Sequence, residues 1–130
     1  MKRNRELELI GISHDEYMEM IYFCRQYKNK KEKLNSLTYI NGIHYNGFPS
    51  GETKYKPTED TAIELALIKR DIELIEQAAI EADGAIYKEL IKNVTENIPY
   101  EFLTPACGRR YFYETRIRFF NILYKNKKNG

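Results

Sequence analysis

The chain has no tryptophan, and only two cysteines, two histidines and four prolines in 130 residues. Cys24 and Cys107 fit no C-x-x-C spacing and no disulfide framework, so both read as reduced thiols of a cytoplasmic protein. No apolar run approaches the ~18 residues a membrane span needs. The N-terminus, Met1-Lys2-Arg3-Asn4-Arg5-Glu6, is basic, but no apolar h-region follows it, so no secretory signal is expected. The phosphate-cradling G-x-x-x-x-G-K-[ST], the dinucleotide G-x-G-x-x-G and the metalloprotease H-E-x-x-H are all missing.

The scarcity of histidine narrows the chemistry further. His14 lies in a helix-capping sequence with no second histidine four residues on, so the ligand spacing of a metal site is missing. His44, between Ile43 and Tyr45, reads as a loop residue. Cys107 precedes Arg109 and Arg110 at an expected helix start, where a thiol pKa would be lowered. A catalytic thiol needs an oriented histidine, and none can be placed beside it. It therefore reads as a small turn residue. The expectation is no enzyme, no metal and no cofactor.

What is present suits a single folded domain. Hydrophobic residues make up 42% and charged residues 31%, enough apolar material for a core. The net charge is only +2, but it is unevenly distributed. Residues 58–83 carry 2 Lys/Arg against 8 Asp/Glu, whereas residues 105–130 carry 7 Lys/Arg against the single acid Glu114. An acidic middle beside a basic end suggests two surfaces with different partners.

The pattern predicts an all-α protein, a helical platform with a C-terminal helix-turn-helix. Three stretches are distinguished: an N-terminal helix and aromatic/Gly loop over 1–57, a long acidic helix over 58–84, and a helix-turn-helix over 85–130. Ser13-His14-Asp15-Glu16 is a capping box. Tyr17, Met20, Ile21, Cys24 and Tyr27 follow at helical spacing, which predicts one helix to about Leu34. Its lysines, Lys28, Lys30, Lys31 and Lys33, suit the negative end of the helix dipole. Residues 36–57, with Gly42, Gly47, Pro49 and Gly51, read as a loop.

Thr58 is the expected N-cap of the long helix, with Glu59 and Asp60 in its first turn. Ala62, Leu65, Ile68, Ile72, Ile75 and Ala79 form one apolar stripe, and Ile63, Leu67 and Leu74 a second. A helix apolar on two sides needs two neighbours, which makes it a central helix or a dimer element. Gly84 is expected to close it in a left-handed conformation. A third helix over about 86–97, a short turn after Pro99 and a turn over 104–108 lead into a last helix over about 108–125, with a frayed tail.

At 100° per residue, Phe112, Tyr113, Ile117, Phe119, Phe120, Leu123 and Tyr124 share the inward arc of that last helix. Arg110, Glu114, Arg118 and Asn121 form a continuous polar strip, with Tyr111 just beyond it. Arg116 falls inside the apolar arc, where it would snorkel or pair with an acid of the middle helix. Arg suits guanine, Asn adenine and Glu cytosine edges, and N-terminal residues of a recognition helix reach the bases. Arg109, Arg110, Tyr111 and Glu114 are thus the expected base readers, Asn121 extends the strip, and Arg118, Lys125, Lys127 and Lys128 suit phosphates.

Ile98-Pro99-Tyr100-Glu101-Phe102-Leu103, followed by Pro105-Ala106-Cys107-Gly108-Arg109-Arg110-Tyr111-Phe112-Tyr113-Glu114-Thr115-Arg116-Ile117-Arg118-Phe119-Phe120, resembles the C-terminal pattern of small phage-encoded transcriptional regulators of the RinA and ArpU type. Their C-terminal part is similar to the promoter-reading helix-turn-helix of sigma-factor region 4. Tyr22-Phe23-Cys24-Arg25-Gln26-Tyr27-Lys28 and Thr58-Glu59-Asp60-Thr61-Ala62-Ile63 extend the resemblance to about half the chain. It implies a prophage transcription regulator that binds duplex DNA. The rival is an adaptor whose acidic helix docks RNA polymerase or another phage protein through Glu73 and Glu76, without DNA.

Overall fold

Helix-forming stretches with apolar residues on one side pack here around a shared centre, as a computed structural model that describes residues 11–40 and 59–129. The fold is all-α: α1 (His14–Arg25), α2 (Tyr27–Ile40), α3 (Glu59–Ala82), α4 (Tyr87–Glu96), a 3-10 turn (Tyr100–Phe102) and α5 (Arg109–Asn129), with no strand among the described residues. Thr58 and residues 41–57 lie outside the described residues, while residues 36–40, expected to open a loop, continue α2 as helix. No described helix is long and apolar enough to cross a membrane.

The capping box at the start of α1 is complete. The Glu16 amide donates to Ser13 Oγ at 3.1 Å, and the Ser13 amide donates to Glu16 Oε1 at 2.9 Å. The expected single helix to Leu34 is instead two, broken at Gln26, whose N–H turns back to the carbonyls of Phe23 and Cys24. The break lets α2 take its own course, and α2 packs against α3. The lysines of α2 then serve a different purpose from capping a dipole. Lys30 pairs with Asp71 at 2.9 Å, Lys31 with Glu76 at 3.6 Å and Lys33 with Glu64 at 2.5 Å. Tyr27 Oη adds a hydrogen bond to Glu76 at 2.5 Å. Burial, and then the neighbouring Glu76, push the Tyr27 phenol pKa up.

One core draws on α1, α3, α4 and α5: Met20 and Cys24, Ile75 and Ala79, Leu90 and Val94, and Phe112, Phe119, Phe120 and Leu123. Alanines at 78, 79 and 82 let α5 approach α3 closely, and this is the most extensive helix pair. Ile68, Ile72 and Ile75 of the expected stripe are buried, whereas Ala62 is exposed and Leu65 only half-buried. The second stripe finds no full cover among the described residues. Ile63 and Leu67 are 52% and 54% exposed, and only Leu74 is partly covered.

Gly84 does not take the left-handed conformation expected of it. The end of α3 is closed by Asp83 instead, whose Oδ1 accepts the Ala85 amide at 2.8 Å in a local side-chain turn. The left-handed cap belongs to α4, at Asn97 with φ 58°. From there the chain runs through Pro99, the 3-10 turn and Thr104, at φ 45°, to α5. This link between α4 and α5 spans residues 97–108, longer than the three- or four-residue turn of a tight helix-turn-helix. α5 itself continues to Asn129, so the expected frayed tail is helical up to that residue.

Candidate nucleic-acid interface

α5 is built in two halves around its axis. Phe112, Thr115, Phe119, Phe120 and Leu123 are buried, which fixes the rotation of the helix and therefore which residues face outward. The Tyr100 hydroxyl donates to the Cys107 carbonyl at 2.6 Å, and its ring stacks edge-on against Phe112 at 5.5 Å. These contacts hold the turn that precedes α5 against the core.

Arg116 corrects the expectation of a partner acid on the middle helix. Its Nε donates to Asn93 Oδ1 at 2.8 Å and its Nη1 to Tyr17 Oη at 3.0 Å. The guanidinium also lies 4.9 Å from the Phe120 ring centre. Asn93 in turn donates to the Ile98 carbonyl at 3.0 Å, so α1, α4 and α5 are joined by one partly buried polar network.

The expected base readers divide into occupied and open residues. Arg109 pairs with Glu101 and lies over the Tyr113 ring. Tyr111 donates its hydroxyl to Asp83 Oδ2, and this bond, with the Ala85 amide, holds the Asp83 carboxyl below its usual pKa. Arg118 reaches the Ala82 carbonyl through Nη2 at 3.2 Å and Nε at 3.4 Å, and Thr115 Oγ1 at 3.0 Å. It thereby satisfies a carbonyl at the negative end of α3 that no intrahelical donor can reach. Tyr111 and Arg118 therefore fasten α5 to the end of α3.

Arg110 is open. Its side chain is 93% exposed, and among the described residues it pairs with Glu114, one turn on, at 3.4 Å. Lys125 and Lys128 are exposed further along the same face, and Asn121 is half-buried between them and the N-terminal half. Lys128 lies over the Tyr124 ring, and the hydrogen bond with that tyrosine raises its pKa. Lys127 lies over the ring of Phe23 in α1, off the strip. From Arg110 to Lys128 the strip is about 27 Å long at 1.5 Å per residue.

Phe102 carries no signal in the sequence that would have singled it out. It sits 77% exposed on the 3-10 turn, beside the Glu101–Arg109 pair. Cys107, expected to be a candidate for a lowered thiol pKa, is shifted the other way. Partial burial raises it first, and Asp83 and Glu89 add to the shift. Both cysteines are free. No cluster of three or more His, Cys, Asp or Glu that could hold a metal is found among the described residues.

The chain matches no known family model, curated protein or solved structure.

Proposed function

We propose that the protein is a sequence-specific double-stranded DNA-binding regulator of the kind phages encode, which lays the outer face of α5 in the major groove. The observation that carries this reading is the strip from Arg110 to Lys128, cationic, exposed and set on a helix whose other face is locked into the core. Arg110 and Glu114 are the base-edge candidates, and Lys125 and Lys128 the phosphate contacts. Arg109, Tyr111 and Arg118 support the helix, so they join DNA only by exchanging their present partners.

The adaptor reading draws on the acidic α3. Of its two expected docking residues, Glu76 already accepts from Tyr27 and pairs with Lys31, while Glu73 stays exposed. This occupied partner favours the DNA reading.

The test is binding to random duplexes and to native upstream duplexes across a salt series. A specific site that survives ~150–200 mM salt, with a log–log slope of about −3 to −5 from a handful of phosphate contacts, supports the reading. Arg110→Ala should cost about 1–3 kcal/mol on that site and relax specificity. Lys125→Ala should weaken all duplexes about equally and flatten the slope by about 1. No binding at ~50 mM salt overturns the DNA reading; binding of RNA polymerase, lost on Glu73→Gln, would put the adaptor in its place.

A further inference from the structure

The N-terminal half of α3 carries an apolar strip that nothing described covers. Ile63 and Leu67 are each about half exposed, and Ala66 beside them is exposed. Glu59 lies before these residues and Arg70 after them, both exposed and neither ion-paired to a described residue. At 100° per residue, Glu59, Ile63, Ala66, Leu67 and Arg70 fall within an arc of about 100°. Glu59 and Arg70 stand within about 20° of each other and about 16 Å apart along the axis. Read along the helix, the strip is negative, apolar, positive.

That order is self-complementary in one orientation only. Two such helices side by side and parallel would set Glu59 against Glu59 and Arg70 against Arg70. Turned antiparallel about a two-fold axis between residues 64 and 65, each Glu59 meets the other copy's Arg70. Ile63 then meets Ala66, and the two Leu67 side chains share the other flank, about 7.5 Å apart along the axis. A two-fold rotation brings like flanks of the two helices together, and Glu59 and Arg70 share a flank, so both ion pairs form at once. Of the remaining acids of this half, Asp60 is exposed at the edge of the strip, and two others are less able to repel a second copy. Glu64 and Asp71 are held by Lys33 and Lys30.

We infer that the strip Glu59–Ile63–Ala66–Leu67–Arg70 is an isologous interface, and that its occupant is a second copy of this chain with α3 antiparallel to the first. The inference stands apart from the DNA reading, since it uses α3 alone. The covered area is small, a few hundred Å² on each copy, which places the association in the weak class of interfaces.

The experiment is sedimentation velocity of the full chain from about 2 to 200 µM, the range in which a weak interface is populated. The expected result is a monomer–dimer shift within that range. Leu67→Glu should raise the dissociation constant at least about tenfold, by burying an unpaired charge in the apolar centre. Glu59→Arg alone should do the same by setting the introduced guanidinium against Arg70 of the other copy. The swapped double variant Glu59→Arg with Arg70→Glu should restore association, because the pair re-forms with its signs exchanged. Glu59→Arg also puts a cation in the first turn of α3, which the helix dipole disfavours. The double variant keeps that cation, so its recovery cannot come from helix stability. All three variants change exposed residues, and unchanged circular dichroism checks that they fold. A chain that stays monomeric at about 200 µM overturns the inference, as does a swap that fails to recover what Glu59→Arg loses.

Discussion

Arg116→Met is the most informative single change to the fold. Methionine keeps the apolar stem and removes the guanidinium, so packing is largely retained. Two hydrogen bonds disappear, to Asn93 Oδ1 at 2.8 Å and to Tyr17 Oη at 3.0 Å. Asn93 is 7% exposed, so its carbonyl oxygen has little access to water as a substitute partner. A hydrogen bond to a charged group contributes about 1.5–3 kcal/mol, and an orphaned buried acceptor costs about 1–3 kcal/mol. Removal of the cation from the Phe120 face adds roughly 0.5–1 kcal/mol. These contributions overlap, and Arg116 itself keeps some solvent contact, so the expected loss is about 2–4 kcal/mol. For a chain of 130 residues that is a drop in Tm of about 8–15 °C. Urea unfolding followed by far-UV circular dichroism measures it, with Tyr17→Phe completing a double-mutant cycle. A coupling of about 0.5–1.5 kcal/mol between positions 17 and 116 is expected. A loss under about 0.5 kcal/mol, the size of an ordinary surface change, would refute the role given to Arg116 as the tie between α1, α4 and α5.

Other outcomes follow from the same geometry. The Tyr124 hydroxyl at 2.6 Å, and then the Ser13 amide, hold the Glu16 carboxyl below its ordinary pKa. Its contribution is therefore complete above the unfolded glutamate range and lost as pH falls through the lowered folded value. Glu16→Gln should flatten the acid limb of a stability–pH curve while leaving the alkaline limb in place. Burial pushes the Cys24 thiol to about 12, and Cys107 is only half-buried. Ellman's reagent should thus titrate one thiol in the native protein, more slowly than a free thiol, and the second only on unfolding, with Cys107→Ser removing the first. Thr104, a β-branched residue at φ 45°, holds a strained backbone in the turn before α5. Thr104→Gly should raise stability by up to about 1 kcal/mol in the same urea titration, less what the hydroxyl bond to the Leu103 carbonyl returns.

Local signals were readable in the sequence, and distant ones were not. The Ser13–Glu16 box closes within four residues, so its spacing determines its geometry. The inward arc of α5 is likewise a property of one helix, and Phe112, Phe119, Phe120 and Leu123 lie where the wheel puts them. The break at Gln26 has no glycine or proline to announce it, and the apolar spacing runs on through Tyr27. Lys30, Lys31 and Lys33 looked like a helix terminus because their partners lie 31 to 45 residues away, on α3. Arg118 and Tyr111 looked like free groove-facing residues for the same reason. The α3 end that occupies them, at Ala82 and Asp83, is brought there only by tertiary packing. Of the candidate site, Arg110 and Lys125 remain as open as the helical wheel implied, because one lies at the start of α5 and the other past its contact with α3.

The internal pairing also changes what the charge pattern means. Three of the acids that make residues 58–83 negative face the lysines of α2, so the middle of the chain presents less negative charge than its composition suggests. Those pairs are partly exposed, and pairs of that kind contribute little stability each, about 0–1 kcal/mol. Their larger effect is on the field around the molecule. With the acids of α3 partly screened from within, the basic excess of α5 is opposed mainly by Glu114, and by Glu101, Asp83 and Glu16 along its edges. A cationic strip left in that state by its own fold attracts a polyanion, and the attraction falls steeply with salt. If the proposed DNA reading holds, replacing Lys30 and Lys33 with Gln should therefore weaken duplex binding by severalfold at low salt, although both residues lie away from the strip. It should leave thermal stability within a few degrees of the parent. A change in stability with no change in binding would mean that the two charge systems act independently.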